Sequence, residues 1–136
     1  MIGEARRRAR LRTTELDRLA GVCLALAREL RVGRSLHKGL RAVIADPELS
    51  TPGLAEVVRR SDAGEPVAVA LAAWADGLDH PDARLVGAVL VVGDTTGAAL
   101  AGSLDRAAAS MRERADLRAE IGALTAQPRA SAALLT

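Results

Sequence analysis

Aromatic side chains are almost missing from this sequence: Trp74 stands alone, with no Phe and no Tyr. The core must therefore come from Leu, Val, Ile and Ala, and a chain that is 49% hydrophobic has enough of them. Ala and Leu favour helices, whereas strands draw on aromatic and β-branched residues, so the composition points to helices packed through small side chains. The lack of aromatics also removes the platforms on which single-stranded nucleic acids stack. Cysteine is equally scarce. With Cys23 alone, an internal disulfide and a thiolate metal cluster are both excluded, which fits a reducing compartment. The two histidines, His37 and His80, have no partner at metal-ligand spacing. Long apolar runs are absent too. Leu85 to Val92 falls far short of the ~20 residues a membrane span needs, and the basic start leads into Thr13-Thr14-Glu15, unlike a signal peptide.

What is present begins with charge. The formal net charge is +2 over 136 residues, too small to select a partner by itself, but its distribution is uneven. Arg6, Arg7, Arg8, Arg10 and Arg12 crowd the first dozen residues against Glu4 alone. Such a cluster suits an anionic membrane surface or a nucleic-acid backbone, or stays as a solvated tail. Residues 1–13 therefore read as a basic arm, juxtamembrane or disordered, and 14–136 as one helical domain.

Helical periodicity then takes over. Thr14 is placed to cap a first helix carrying Leu16, Leu19, Ala20, Cys23, Leu24, Ala27 and Leu30, with Gly33 as its left-handed stop. Ser35 opens a second helix through Ile44, and Thr51-Pro52 a third, broken at Ser61 to Gly64. A fourth spans about Pro66 to Trp74. A fifth follows Asp79 to Pro81 and ends at Gly93-Asp94. The last starts near Thr96 and runs to about Ala126, roughly 45 Å at 1.5 Å per residue. Its apolar positions read Leu100, Leu104, Ala107, Ala108 and Met111, then Leu117, Ile121 and Leu124. No strand pattern competes. The expected fold is all-α: an antiparallel bundle of about six helices with a long C-terminal one.

A repeated frame marks three helix starts. Gly33, Gly64 and Gly97 are each followed after two residues by an aliphatic or leucine and four further on by Leu40, Leu71 or Leu104, at spacings of 31 and 33 residues. These glycines read as helix-turn positions, not as a solenoid repeat.

Catalytic constellations are thin. His80 lies before a helix start, and His37 sits exposed beside Lys38 and Arg34. Asp76, Asp79 and Asp82 cluster at one loop, where capping explains them better than a cation does. Gly93 to Gly97 lacks the lysine and the glycine spacing of a phosphate loop. Cys23 falls on the apolar face of the first helix and reads as packing. No catalytic, cofactor-binding or metal residue is assigned, and no cofactor is expected. The alternating charges from Asp105 to Glu120 read mainly as a solvated face with intrahelical pairs. Within them, Arg112, Arg114 and Arg118 form a candidate partner surface.

Taken in order, Gly33 to Leu40, Gly64-Glu65-Pro66 leading to Leu71, Thr96-Gly97 opening a charged helix, and the close from Met111-Arg112-Glu113-Arg114 through Ile121 to Ala133, with Gln127, Arg129 and Ser131, resemble the type II secretion system F domain. The resemblance covers about Thr14 to Thr136. It implies a non-enzymatic cytoplasmic domain of an inner-membrane platform protein of type II secretion, type IV pili or tight-adherence pili, closest to the tight-adherence branch. Implied partners are the secretion or pilus ATPase, other platform subunits, the membrane through flanking spans not in this chain, and a second copy as a homodimer. The implied location is the cytoplasmic face of the bacterial inner membrane. Two residue features fit independently: the basic arm stands where a cytoplasmic juxtamembrane segment should be basic, and Ala130 to Leu135 is apolar where a span would begin. The competing reading is a helix-turn-helix-like nucleic-acid-binding regulator, with Leu36 to Ile44 as recognition helix offering His37, Lys38 and Arg41. Under the platform reading no nucleic acid is bound.

Overall fold

A computed structural model describes residues 2–92 and 96–135, and the side chains of 2–91 and 96–126. Six helices follow one another among them: α1 (Ile2–Arg31), α2 (Leu36–Ile44), α3 (Pro52–Asp62), α4 (Val67–Gly77), α5 (Pro81–Val92) and α6 (Gly97–Leu135). No strand occurs among the described residues. The fold is the all-α bundle expected.

Local chemistry sets most of the boundaries. At the end of α1, Gly33 adopts φ +91°; its N–H donates to the Leu30 carbonyl at 3.1 Å and that of Arg34 to Glu29 at 3.1 Å. This left-handed closure satisfies carbonyls the helix end would leave unpaired. Gly64, at φ +109°, closes α3 the same way, with Glu65 donating to Arg60 at 3.1 Å. Ser35, Thr51 and Thr96 cap α2, α3 and α6 through their side-chain oxygens, each accepting a backbone N–H at 3.2 Å. At α5, the His80 Nδ1 accepts from the Asp82 N–H at 3.1 Å, so this loop histidine is itself the cap.

Packing runs around a ring, each helix against the next in sequence, and α1 closes it against α6 over their longest shared contact. Leu19, Leu40, Leu54, Leu71 and Leu104 are fully buried; burying each is worth roughly 2 kcal/mol. Ala101, Ala107 and Ala108 of α6 are also buried and let α1 approach closely. Cys23 joins this core, and burial pushes its thiol up to about 12.

Two expectations need correcting. The first helix does not start at Thr14. It runs unbroken from Ile2, and the Thr14 hydroxyl donates back to the Arg10 carbonyl at 3.0 Å instead of capping. Arg, Ala and Leu all favour helix, and Glu4 pairs with Arg8 one turn on, so the basic stretch has no reason to stop there. Gly97 stands at a helix start, as the first residue of α6 capped by Thr96, and unlike Gly33 and Gly64 it has no positive φ. The second correction is that the apolar positions of α6 do not form one face. Leu100 to Met111 are buried, while Leu117, Ile121 and Leu124 are 55%, 54% and 61% exposed. Gly93-Asp94, expected to end α5, and the side chains of Gln127 to Leu135 lie outside the described residues.

Candidate functional site

Because α1 and α6 run antiparallel, the bundle has two distinct ends. Arg31 of α1 pairs with Asp105 near the start of α6, and Gly97 lies against Leu30. At the other end Thr13 and Leu16 share a groove with Met111, Ala115 and Arg118. The N-terminal turns of α1 and the C-terminal turns of α6 therefore project from the same end. All of residues 2–13 and 115–126 are exposed.

The shared groove has a volume of about 500 Å³ and is lined by charge. Arg112 and Arg118 flank it from α6, Asp17 and Arg18 from α1, Glu48 from the α2–α3 loop and His80 from the start of α5. Arg18 is partly committed, since its guanidinium donates to the carbonyl of Ser50. Arg114 differs from its two neighbours. It donates to the Asp82 carboxylate through both Nε, at 3.1 Å, and Nη2, and to the Ser110 hydroxyl at 2.7 Å. The Asp82 side chain is 11% exposed. A buried carboxylate held by a guanidinium is expensive to break, so Arg114 anchors α6 to α5 and is poorly placed to serve a partner.

Arg12 also turns inward. Its Nε donates to the Leu78 carbonyl at 2.7 Å and Nη2 to that of Asp79 at 2.8 Å, tying α1 to the end of α4. Asp79 has φ +46°, unusual for a non-glycine residue, and this guanidinium helps hold that turn. Arg6, Arg7, Arg8 and Arg10 remain exposed.

The sequence reading passed over Glu15. Its side chain lies on the buried face of α1 at 6% exposure and accepts three neutral donors. The Thr51 hydroxyl is at 2.5 Å, the Gly53 N–H at 2.7 Å and the Trp74 indole N–H at 2.9 Å. One carboxylate thus joins α1, the N-terminus of α3 and α4, where the helix dipole also favours its charge. An acid one turn before Leu19 on the apolar face was the available signal, with the lone indole as its partner. On α2, His37 and Arg41, offered as base-reading side chains, both bond to Asp62 of α3, the His37 Nε2 at 2.9 Å. Among the described residues no three His, Cys, Asp or Glu gather as a metal site, and no helix is long and apolar enough to cross a membrane.

Compared with known proteins, residues 11–136 match the family model described as type II secretion system (T2SS), protein F. No curated protein and no solved structure matches the chain.

Proposed function

The chain belongs to the type II secretion system protein F family, non-enzymatic platform proteins associated with the inner membrane, and we propose that it is a cytoplasmic coupling domain of such a platform. It transmits the motion of the secretion ATPase to pilus or pseudopilus assembly through protein–protein contacts. Within the family the reading extends to the tight-adherence branch, which the sequence resembles most. The observation that carries the reading is the shared end of α1 and α6. Arg6, Arg7, Arg8 and Arg10 cluster where both long helices project, so that end faces the anionic bilayer and the rest of the bundle hangs beneath it.

On this reading Arg112 and Arg118 are the contact residues for the ATPase, because Arg114 is held by Asp82. The test is titration of the cognate ATPase with the domain at low salt. Binding is expected, and Arg112→Glu with Arg118→Glu should weaken it at least ~10-fold, the loss of about 1.4 kcal/mol. Absence of binding, or binding indifferent to both reversals, removes the coupling reading. The nucleic-acid alternative gains no support from the fold, since His37 and Arg41 are engaged with Asp62.

A further inference from the structure

The groove between α1 and α6 holds a histidine whose two ring nitrogens differ in role. His80 precedes α5, and its Nδ1 accepts the Asp82 N–H at 3.1 Å, as a helix cap does. A ring nitrogen that accepts carries no proton, so the proton of the neutral imidazole sits on Nε2. The Asp82 carboxylate, 3.8 Å from Nδ1, does not claim the ring, being held by Arg114. Nε2 has no hydrogen-bond partner among the described residues, and the side chain is 31% exposed where it lines the groove. The cap therefore fixes an unengaged N–H donor in the groove that Arg112 and Arg118 also line.

We propose that His80 is a third contact residue of this groove, its Nε2–H donating to a carboxylate that the ATPase sets against Arg112 and Arg118; this rests on the coupling reading above. The rest of the lining selects the partner's chemistry. α6 contributes the two arginines, whereas α1 and the α2–α3 loop contribute Asp17 and Glu48, both exposed. Arg18 beside them is engaged by the Ser50 carbonyl. A phosphate chain or a lipid headgroup would meet repulsion from Asp17 and Glu48, so the groove fits a protein segment bearing both signs and no polyanion. Leu16, Leu49 and Met111 add apolar surface to the lining, which takes up an aliphatic side chain of that segment. A guanidinium offers five donors in a fork, whereas the imidazole offers one N–H in a fixed direction, so His80 decides which carboxylate position is accepted.

The two nitrogens can be replaced separately. Asn places an acceptor where Nδ1 stands and is among the best caps, but offers nothing at the Nε2 position. Gln places its amide nitrogen where Nε2 stands and caps poorly. His80→Asn and His80→Gln are each made in the whole chain and read twice, by titration of the cognate ATPase at low salt and by thermal unfolding. His80→Asn is expected to melt within ~2 °C of the parent yet bind at least ~10-fold more weakly, the loss of one hydrogen bond to a charged acceptor. His80→Gln should melt lower and retain most of the affinity. Asp17→Arg should weaken binding several-fold, because the partner's base loses its acid. Should His80→Asn bind as the parent does, or the two His80 variants lose affinity alike, His80 is a cap only and the proposal is overturned. Unchanged or tighter binding by Asp17→Arg overturns the two-signed partner. A parent chain that does not bind the ATPase overturns this proposal and the coupling reading together, whereas unaltered binding by His80→Asn leaves the coupling reading intact.

Discussion

Replacing Glu15 by alanine is the most informative perturbation of the fold, because one carboxylate holds three helices. The substitution leaves the Thr51 hydroxyl, the Gly53 N–H and the Trp74 indole N–H without their acceptor. Hydrogen bonds to a charged group are worth about 1.5–3 kcal/mol each, and a buried donor left alone costs about 1–3 kcal/mol. The three losses are not additive, since the Thr51 hydroxyl can rotate and water can enter the vacated space. A net cost of about 3–5 kcal/mol follows, a large part of the ~5–15 kcal/mol that stabilises a domain. At about 4 °C per kcal/mol for a chain of this size, Tm should fall by roughly 12–20 °C. Glu15→Gln keeps the shape but turns an NH2 towards at least one of the donors, so a loss of about 1–3 kcal/mol is expected. The assay is thermal unfolding followed by circular dichroism and by Trp74 fluorescence, whose sole tryptophan sits in the network. A Glu15→Ala chain melting within ~2 °C of the parent would refute the reasoning, and so would an unchanged Trp74 emission.

Gly53→Ala should be nearly as damaging, because its methyl would lie 2.6 Å from the Glu15 Oε1 and closer still to the indole nitrogen; about 2–4 kcal/mol of destabilisation is expected in a urea titration. Gly33→Ala should cost about 1 kcal/mol from its left-handed φ, whereas Gly97→Ala, at a helix start with ordinary contacts around it, should be neutral or slightly stabilising by the same titration. Burial works against the Asp62 carboxylate, but the hydrogen bonds of Arg41 and His37 outweigh it and hold its pKa below the usual value. A depressed carboxylate stabilises the fold above its unfolded pKa of about 3.9 and loses that contribution as pH falls through the lower folded value. Melting curves of Asp62→Asn should therefore differ from the parent at pH 6 and converge with it towards pH 2. Finally, the buried Cys23 thiol should resist alkylation at pH 8 until the chain unfolds, measured by mass spectrometry across a urea series.

How much of this was legible in the sequence depends on whether the signal was local. The caps at Ser35, Thr51 and Thr96, the proline at the start of α3 and the left-handed stops at Gly33 and Gly64 each act within four residues, and the structure has them where the pattern puts them. Gly97 shares their spacing but not their positive φ, because the frame records only a glycine followed by leucines and carries no backbone angle. The same blindness affected the arginines. Five in a row of twelve residues look alike, yet Arg12 reaches the end of α4 while Arg6 to Arg10 stay exposed, and among three near-neighbours on α6 only Arg114 meets Asp82. Those distinctions come from residues 32 and 66 positions away in the chain.

Composition and periodicity alone determined that this protein is helical and that its core is aliphatic. They could do so because helix propensity, capping and a 3.6-residue period are properties of contiguous residues. Only the tertiary structure decided where the bundle ends on α6. A helix shows the same amphipathic pattern whether its neighbour is present or not, so nothing local separates Met111, buried, from Leu117, exposed. It also decided that Glu15 is a buried junction, since a carboxylate is tolerated inside only when donors from distant segments converge on it.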